Sequence, residues 1–271
     1  MSSPTSAPLL FTSTYATLSI HQSSTLRLLN LPSDIIAALE AVIRTAWPHG
    51  IESHGTMGKA YNYKVKGAPF GLYRSHYHVD GIRLLRDVLA FLYAHGWEVM
   101  TSVLCSRRYT GKDTLVLRKA DGALPRGDVE WLGLAPMSSD KLRVVYDPEG
   151  GRRRAGGSDG GAGDYDYMGV LISSMKSILV DMDYFQKGAW SDDSFAFDLK
   201  GAPWRASGEE SVKTRVLLMR LLQTMEAHGW RLYTTVVQRT GSDEDRVLDT
   251  WYFVRERQRA REAGGGGAEK W

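Results

Sequence analysis

The sequence has almost no cysteine and no long apolar segment. Cys105 is the single cysteine among 271 residues, which excludes a disulfide framework and a cysteine-based zinc site. It also predicts a reducing compartment, the cytoplasm or the nucleus. No apolar run approaches the roughly 18 residues of a membrane span. The net charge of +3 is too small to indicate nucleic acid or an anionic membrane by itself.

Sequence signatures of catalysis are missing as well. The chain contains no phosphate loop, dinucleotide fingerprint or nucleophile elbow, so no cofactor is predicted. His76 and His78 are metal-ligand types, but they lie in a predicted loop that enters a helix, and no metal site is predicted. No motif places a base beside Cys105. These absences favour a protein without catalytic activity.

The most informative feature that is present is an internal repeat. The segment YNYKVKGAPF at 61–70 recurs as FAFDLKGAPW at 195–204. Alternating apolar residues predict a strand in each copy, and an identical Lys-Gly-Ala-Pro turn ends it. An amphipathic helix, the tripeptide His-Gly-Trp (95–97 and 228–230) and a second strand follow in both copies. The glycine of each tripeptide predicts a left-handed helix cap.

The similarity extends in both directions from this segment. Residues 16–29 resemble 131–145, each predicting a hairpin followed by a helix, and Asp-Thr recurs at 113–114 and 249–250 before the last strand. The predicted unit is β-β-α-β-α-β-β, present twice. The predicted fold class is therefore α+β, with two tandem divergent repeats that form a pseudo-symmetric body. Equivalent helix positions, such as Leu85 and Leu218, should be equally buried.

Domain boundaries follow from the repeat. Repeat 1 is predicted to cover 14–119, and repeat 2 is predicted to cover 128–256. Repeat 2 carries the insert PEGGRRRAGGSDGGAG at 148–163, whose glycine-rich composition predicts a disordered linker. Residues 257–271 are charged and glycine-rich, which predicts a disordered tail.

The Lys-Gly-Ala-Pro-Trp, Gly-Trp and Asp-Thr-Leu motifs resemble those of a family of eukaryotic, largely fungal, repeat proteins with no established activity. The resemblance covers most of both copies. Phe70 stands where the family has tryptophan, and Leu248 stands where it has the lysine before aspartate. The resemblance implies a repeat family and no chemistry.

Two basic features are candidates for binding anions. Arg107, Arg108, Tyr109 and Lys112 lie within six positions in a predicted connection, where cationic side chains can converge on one phosphate or carboxylate. Arg152, Arg153 and Arg154 lie in the predicted linker, where they can contact nucleic acid or an acidic partner.

Three functional hypotheses remain open at this point. The first is a non-catalytic binding or scaffolding protein with a protein partner. The second is a nucleic-acid or phospho-ligand binding protein that uses the Arg107, Arg108 and Lys112 connection. The third is an enzyme with an unfamiliar site in the groove between the repeats, where aromatic residues such as Trp204 lie at junctions between turn and core.

Overall fold

The computed structural model describes residues 13–71, 77–105, 112–120, 129–146, 162–191, 194–238 and 248–257. Within these residues the chain forms two six-stranded sheets, each accompanied by two helices. The first repeat consists of β1 (Tyr15–His21), β2 (Thr25–Leu29), α1 (Ser33–Ala46), β3 (Ile51–Met57), β4 (Ala60–Val65), α2 (His78–Ala94), β5 (Trp97–Val103) and β6 (Thr114–Lys119). The second consists of β7 (Val129–Met137), β8 (Lys141–Tyr146), α3 (Ala162–Asp181), β9 (Phe185–Ser191), β10 (Ser194–Leu199), α4 (Gly208–Ala227), β11 (Arg231–Val236) and β12 (Thr250–Glu256).

The two sheets have the same topology. Their strand orders are β3-β4-β2-β1-β6-β5 and β9-β10-β8-β7-β12-β11, and each of these neighbouring pairs is antiparallel. Equivalent strands therefore occupy equivalent places in both sheets. This confirms the predicted fold class of two tandem α+β repeats.

Each repeat has one strand more than the sequence predicted, so the unit is β-β-α-β-β-α-β-β. The additional strands, β3 and β9, are the outer edges of their sheets, and nearly all of their residues are exposed or half-buried. A strand with no buried face needs no apolar alternation, so the signal used to find strands is missing there. Backbone hydrogen bonds to β4 and β10 hold these strands in place.

The last two residues of the predicted linker at 148–163 belong to helix α3. Helix α3 already begins at Ala162, inside the predicted span 148–163. Residues 148–161 and the tail 258–271 lie outside the described residues, and their predicted disorder stays a prediction.

The predicted glycine caps are present at the ends of α2 and α4. Gly96 has a φ of 77° and Gly229 a φ of 76°, in the left-handed region that a side chain disfavours. The Gly96 amide donates to the Tyr93 carbonyl at 2.9 Å, and the Gly229 amide donates to the Glu226 carbonyl at 2.8 Å. Each glycine thus ends its helix and turns the chain into the next strand.

The second sheet packs on the helix layer of the first repeat. Helix α2 lies between the two sheets, so Val79, Ile82 and Tyr93 belong to the same buried core as Trp131 and Tyr252. A Cβ at Gly133 would lie 2.6 Å from Ile82 Cγ2, so the absence of a side chain there permits the close approach. The other face of this sheet forms a separate core with α3 and α4.

This stacking leaves the outer face of α4 uncovered. On α2, Val79 and Arg86 are 9% and 5% exposed. Their counterparts on α4, Val212 and Met219, are each 61% exposed. No helix in the described part of the chain is both long and apolar enough to cross a membrane.

Candidate functional site

Of the predicted anion-binding residues, the structure describes Lys112. Its ammonium donates to the Gln22 carbonyl at 2.5 Å, beside the turn that joins β1 and β2. Burial lowers the pKa of Lys112 to about 8. The other predicted residues lie outside the described part of the chain: Arg107, Arg108, Tyr109, Arg152, Arg153 and Arg154.

In the first repeat, the junction between the Lys-Gly-Ala-Pro turn and helix α2 is closed. Phe70, Ile82 and Leu85 are completely buried there. A Cβ at Gly81 would overlap the Pro69 carbonyl oxygen, so the helix touches the turn backbone directly. Glycine permits a contact that any other residue would prevent.

The equivalent junction in the second repeat is open. Thr214 occupies the position of Gly81, and its hydroxyl donates to the Pro203 carbonyl at 2.9 Å. A side chain therefore separates helix and turn where the first repeat has direct contact. Leu218 is only partly buried, so the prediction that it is buried like Leu85 was wrong. Trp204 is also partly buried, although its counterpart Phe70 is not exposed at all.

The open junction forms a cleft of about 470 Å³, hereafter the Trp204–Trp251 cleft. Its size suits a side chain or a small ligand. The indole nitrogen of Trp204 donates to the Lys141 carbonyl at 2.7 Å, which fixes that ring. Its lining is Pro136, Pro203, Trp204, Ala206, Ser211, Thr214, Arg215, Leu218, Leu248, Asp249 and Trp251.

Asp249 is the acidic residue of this lining. Burial raises the pKa of Asp249, the nearby Asp113 carboxylate raises it further, and a hydrogen bond with Thr235 lowers it. Asp113 and Asp249 are the aspartates of the repeated Asp-Thr pair, so the fold brings equivalent residues of the two repeats close together. Asp113 also joins the repeats directly, because its carboxylate accepts a hydrogen bond from the Val237 amide at 2.7 Å.

A larger cavity, of about 830 Å³, lies in the groove between the repeats, where Tyr93 of repeat 1 faces repeat 2. Its buried carboxylate, that of Glu130, is paired with an arginine. Glu130 is 5% exposed and accepts hydrogen bonds from Arg255 and from the Tyr146 hydroxyl. The Arg255 guanidinium stacks on Tyr167, 3.6 Å from the ring centroid. This is the arrangement of a buried structural ion pair.

The repeated histidines have structural partners. His95 Nδ1 lies 2.8 Å from the Phe91 carbonyl, as expected of a histidine at a helix end, and His228 Nε2 lies 3.0 Å from the Ser174 hydroxyl. His78 is buried, and Cys105 is exposed. Among the described residues, no group of three histidine, cysteine or acidic side chains could hold a metal ion.

Trp204 and the repeated aspartates could be recognised in the sequence, but no sequence motif indicated that Trp204 and Asp249 line the same cleft. The available signal was the pair of differences at equivalent positions, Gly81 against Thr214 and Leu115 against Trp251. Both differences place a larger or polar residue in the second repeat. Departures from the repeat pattern thus mark the cleft better than the shared motifs do.

Comparison with known proteins identifies the family and no activity. A single domain-family model matches the chain twice, over residues 14–118 and 130–254. The chain belongs to this family. It contains two copies of the family's domain, and each match falls on one six-stranded sheet with its helices. No match was found among curated proteins or among solved structures.

Proposed function

We propose that this family member is a non-catalytic binding protein, and that the Trp204–Trp251 cleft is its binding site for a partner protein. The observation that carries the proposal is the difference between the two junctions. Phe70 and Gly81 close the first, whereas Thr214 separates helix from turn in the second. Two partly buried tryptophans thereby line an open cleft, and tryptophan is enriched among the residues that dominate binding energies at interfaces.

The uncovered face of α4 extends this surface beyond the cleft. Arg215 lines the cleft, and Val212 and Met219 are its neighbours three and four positions away on the helix. Val212 and Met219 are well exposed, although their counterparts in repeat 1 are buried beneath the second sheet. An exposed apolar patch beside a cleft is typical of a protein-binding surface. Cys105, the single cysteine of the sequence, is exposed and forms no disulfide within the chain, which supports the proposal of a cytoplasmic or nuclear protein.

A peptide-display library panned on the wild-type protein tests this proposal. Ala206→Trp would fill the cleft without changing its charge, and Val180→Trp would place the same side chain at an exposed position on α3. We expect selected peptides to bind wild type and Val180→Trp equally, and to bind Ala206→Trp at least tenfold more weakly. Equal binding to all three proteins, or selection of no peptide, would refute the cleft as the binding site.

A second candidate function, binding of nucleic acid or phosphorylated ligands, is favoured by the charges around Lys112. Burial lowers the pKa of His21, and the charges of Arg27 and Lys112 lower it further, so these groups lie close together. In the sequence, Lys112 lies four positions after Arg108. Retention on heparin and single-stranded RNA should then fall steeply with salt in wild type, and less steeply in Arg107→Ala/Arg108→Ala. Absence of retention at low salt would eliminate this candidate.

A further inference from the structure

The Asp249 carboxylate has no counter-ion in the described part of the chain. Asp249 is half-buried, and among the described residues the charged group that acts on it is another carboxylate, that of Asp113. Its hydrogen-bond partner is the neutral Thr235 hydroxyl. A partly desolvated carboxylate beside a like charge interacts favourably with any cation that reaches it.

Arg215, the basic residue of the same lining, does not supply that cation. Its guanidinium donates to the Ser211 carbonyl, one turn earlier in α4, at 2.7 Å. Arg215 is exposed, so water and salt screen its charge more strongly than the charge of Asp249. Of the two charges that line the cleft, the negative charge of Asp249 is therefore the less screened, and it lies beside two indole rings.

Indole rings and a carboxylate together recognise organic cations. A guanidinium or ammonium group is attracted to the face of tryptophan more strongly than to other aromatic rings. It also forms charge-assisted hydrogen bonds with a carboxylate, which are stronger than those between neutral groups. The apolar stem of lysine or arginine can pack along residues such as Leu218 and Pro203, which also line the cleft.

We propose that the Trp204–Trp251 cleft receives a lysine or arginine side chain of a partner polypeptide, with the Asp249 carboxylate as its counter-ion. This inference rests on the proposed function and specifies the ligand class of the same site. The neighbouring α4 surface at Val212 and Met219 is available for the rest of the polypeptide, which favours a peptide segment over a free amine.

Short peptides that differ at one position test this ligand class. The probes are acetyl-Gly-Ser-X-Ser-Gly-amides in which X is arginine, lysine, norleucine or glutamate, titrated while the indole N–H resonances of Trp204 and Trp251 are followed by NMR. Norleucine keeps the aliphatic stem of lysine and removes the charge. We expect saturable shifts with the arginine and lysine peptides, and binding at least tenfold weaker with norleucine and glutamate.

Three variants that each remove one charge complete the test. Asp249→Asn should weaken the lysine and arginine peptides at least tenfold, whereas Asp34→Asn, at an exposed position on α1, should leave them unchanged. Arg215→Gln should strengthen them two- to fivefold by removing a repulsive charge. Circular dichroism verifies that each variant is folded.

Each contrary result overturns the inference in a recognisable way. If norleucine binds as tightly as lysine, the cleft recognises apolar side chains, and the proposed function stands without its ligand class. If glutamate binds and Arg215→Gln abolishes its binding, the cleft recognises anions. If none of the four peptides binds, the inference is wrong, and the display selection still decides independently whether the cleft binds peptides.

Discussion

The Thr214 hydroxyl donates a hydrogen bond to the Pro203 carbonyl across the junction that opens the second repeat. At the equivalent position of the first repeat, Gly81 lies against the Pro69 carbonyl with no side chain between them. One substitution between glycine and threonine therefore distinguishes a closed junction from an open one, within otherwise equivalent topology.

Gly81→Ala tests the closed junction. The added methyl group would overlap the Pro69 carbonyl oxygen, a backbone atom that cannot move away independently. We expect a loss of roughly 2–4 kcal/mol in the free energy of unfolding. In the matched control Gly169→Ala, on α3, a Cβ meets nothing within 4 Å, and alanine should stabilise the helix by up to about 1 kcal/mol. Urea titration measures both, and equal effects would contradict the packing argument.

Gly133 and Ile82 form one of the close contacts between the repeats and provide a second test. A Cβ at Gly133 would lie 2.6 Å from Ile82 Cγ2, so Gly133→Ala should cost roughly 1–3 kcal/mol. Ile82→Ala removes the opposing methyl group and leaves room for the new one. The two substitutions together should therefore be less destabilising than the sum of the single effects, by at least about 0.5 kcal/mol. Additive losses would show that the two residues do not press on one another.

The repeat could be predicted from the sequence because the turns, caps and strands that define it depend on residues close together in the chain. The Lys-Gly-Ala-Pro turns and the caps at Gly96 and Gly229 depend on backbone conformations that few residues adopt. Strands β4 and β10 alternate apolar and polar residues because one face is buried. The edge strands β3 and β9 have no such face, so their sequences carry no apolar alternation, although each pairs with the strand that follows it directly in the chain.

The cleft could not be predicted for a different reason. Leu85 and Leu218 occupy equivalent helix positions, and a helical pattern gives them equal burial. Their actual burial depends on how close each helix approaches its turn and on which repeat has a sheet stacked above it. The proximity of Asp113 and Asp249 likewise depends on how the repeats stack, and no motif in one repeat specifies that arrangement.

Lys112 should make stability depend on pH. Burial lowers its pKa in the folded protein to about 8, below the ordinary value of 10.5. The unfolded chain then binds more protons between these values, so stability should rise with pH across this window. Lys112→Met should be more stable than wild type near pH 7, and the difference should shrink between pH 8 and 10.5. Thermal unfolding across this range measures it, with Lys59→Met in an exposed turn as control.

Asp249 should have a pH effect in the acidic range. Burial and the Asp113 carboxylate raise the pKa of Asp249 above its ordinary value of 3.8, so the folded protein holds this proton more tightly than the unfolded chain. The resulting stability is fully present below pH 3.8 and is lost as the pH rises through the folded-state pKa. Asp249→Asn should therefore stabilise the protein at neutral pH, and the gain should disappear in acid.

Asp198 provides a control for that experiment, because its pKa is shifted in the opposite direction. Its burial raises the pKa, but hydrogen bonds from Lys141 and Lys187 outweigh burial and lower it overall. Asp198→Asn should accordingly destabilise at neutral pH, with a loss that shrinks as the medium is acidified. If Asp249→Asn instead behaves like Asp198→Asn, Asp249 already has a cationic partner within the chain. The Asp249 carboxylate would then not be available as the counter-ion of a partner's lysine or arginine, so this stability measurement would also contradict the proposed ligand class.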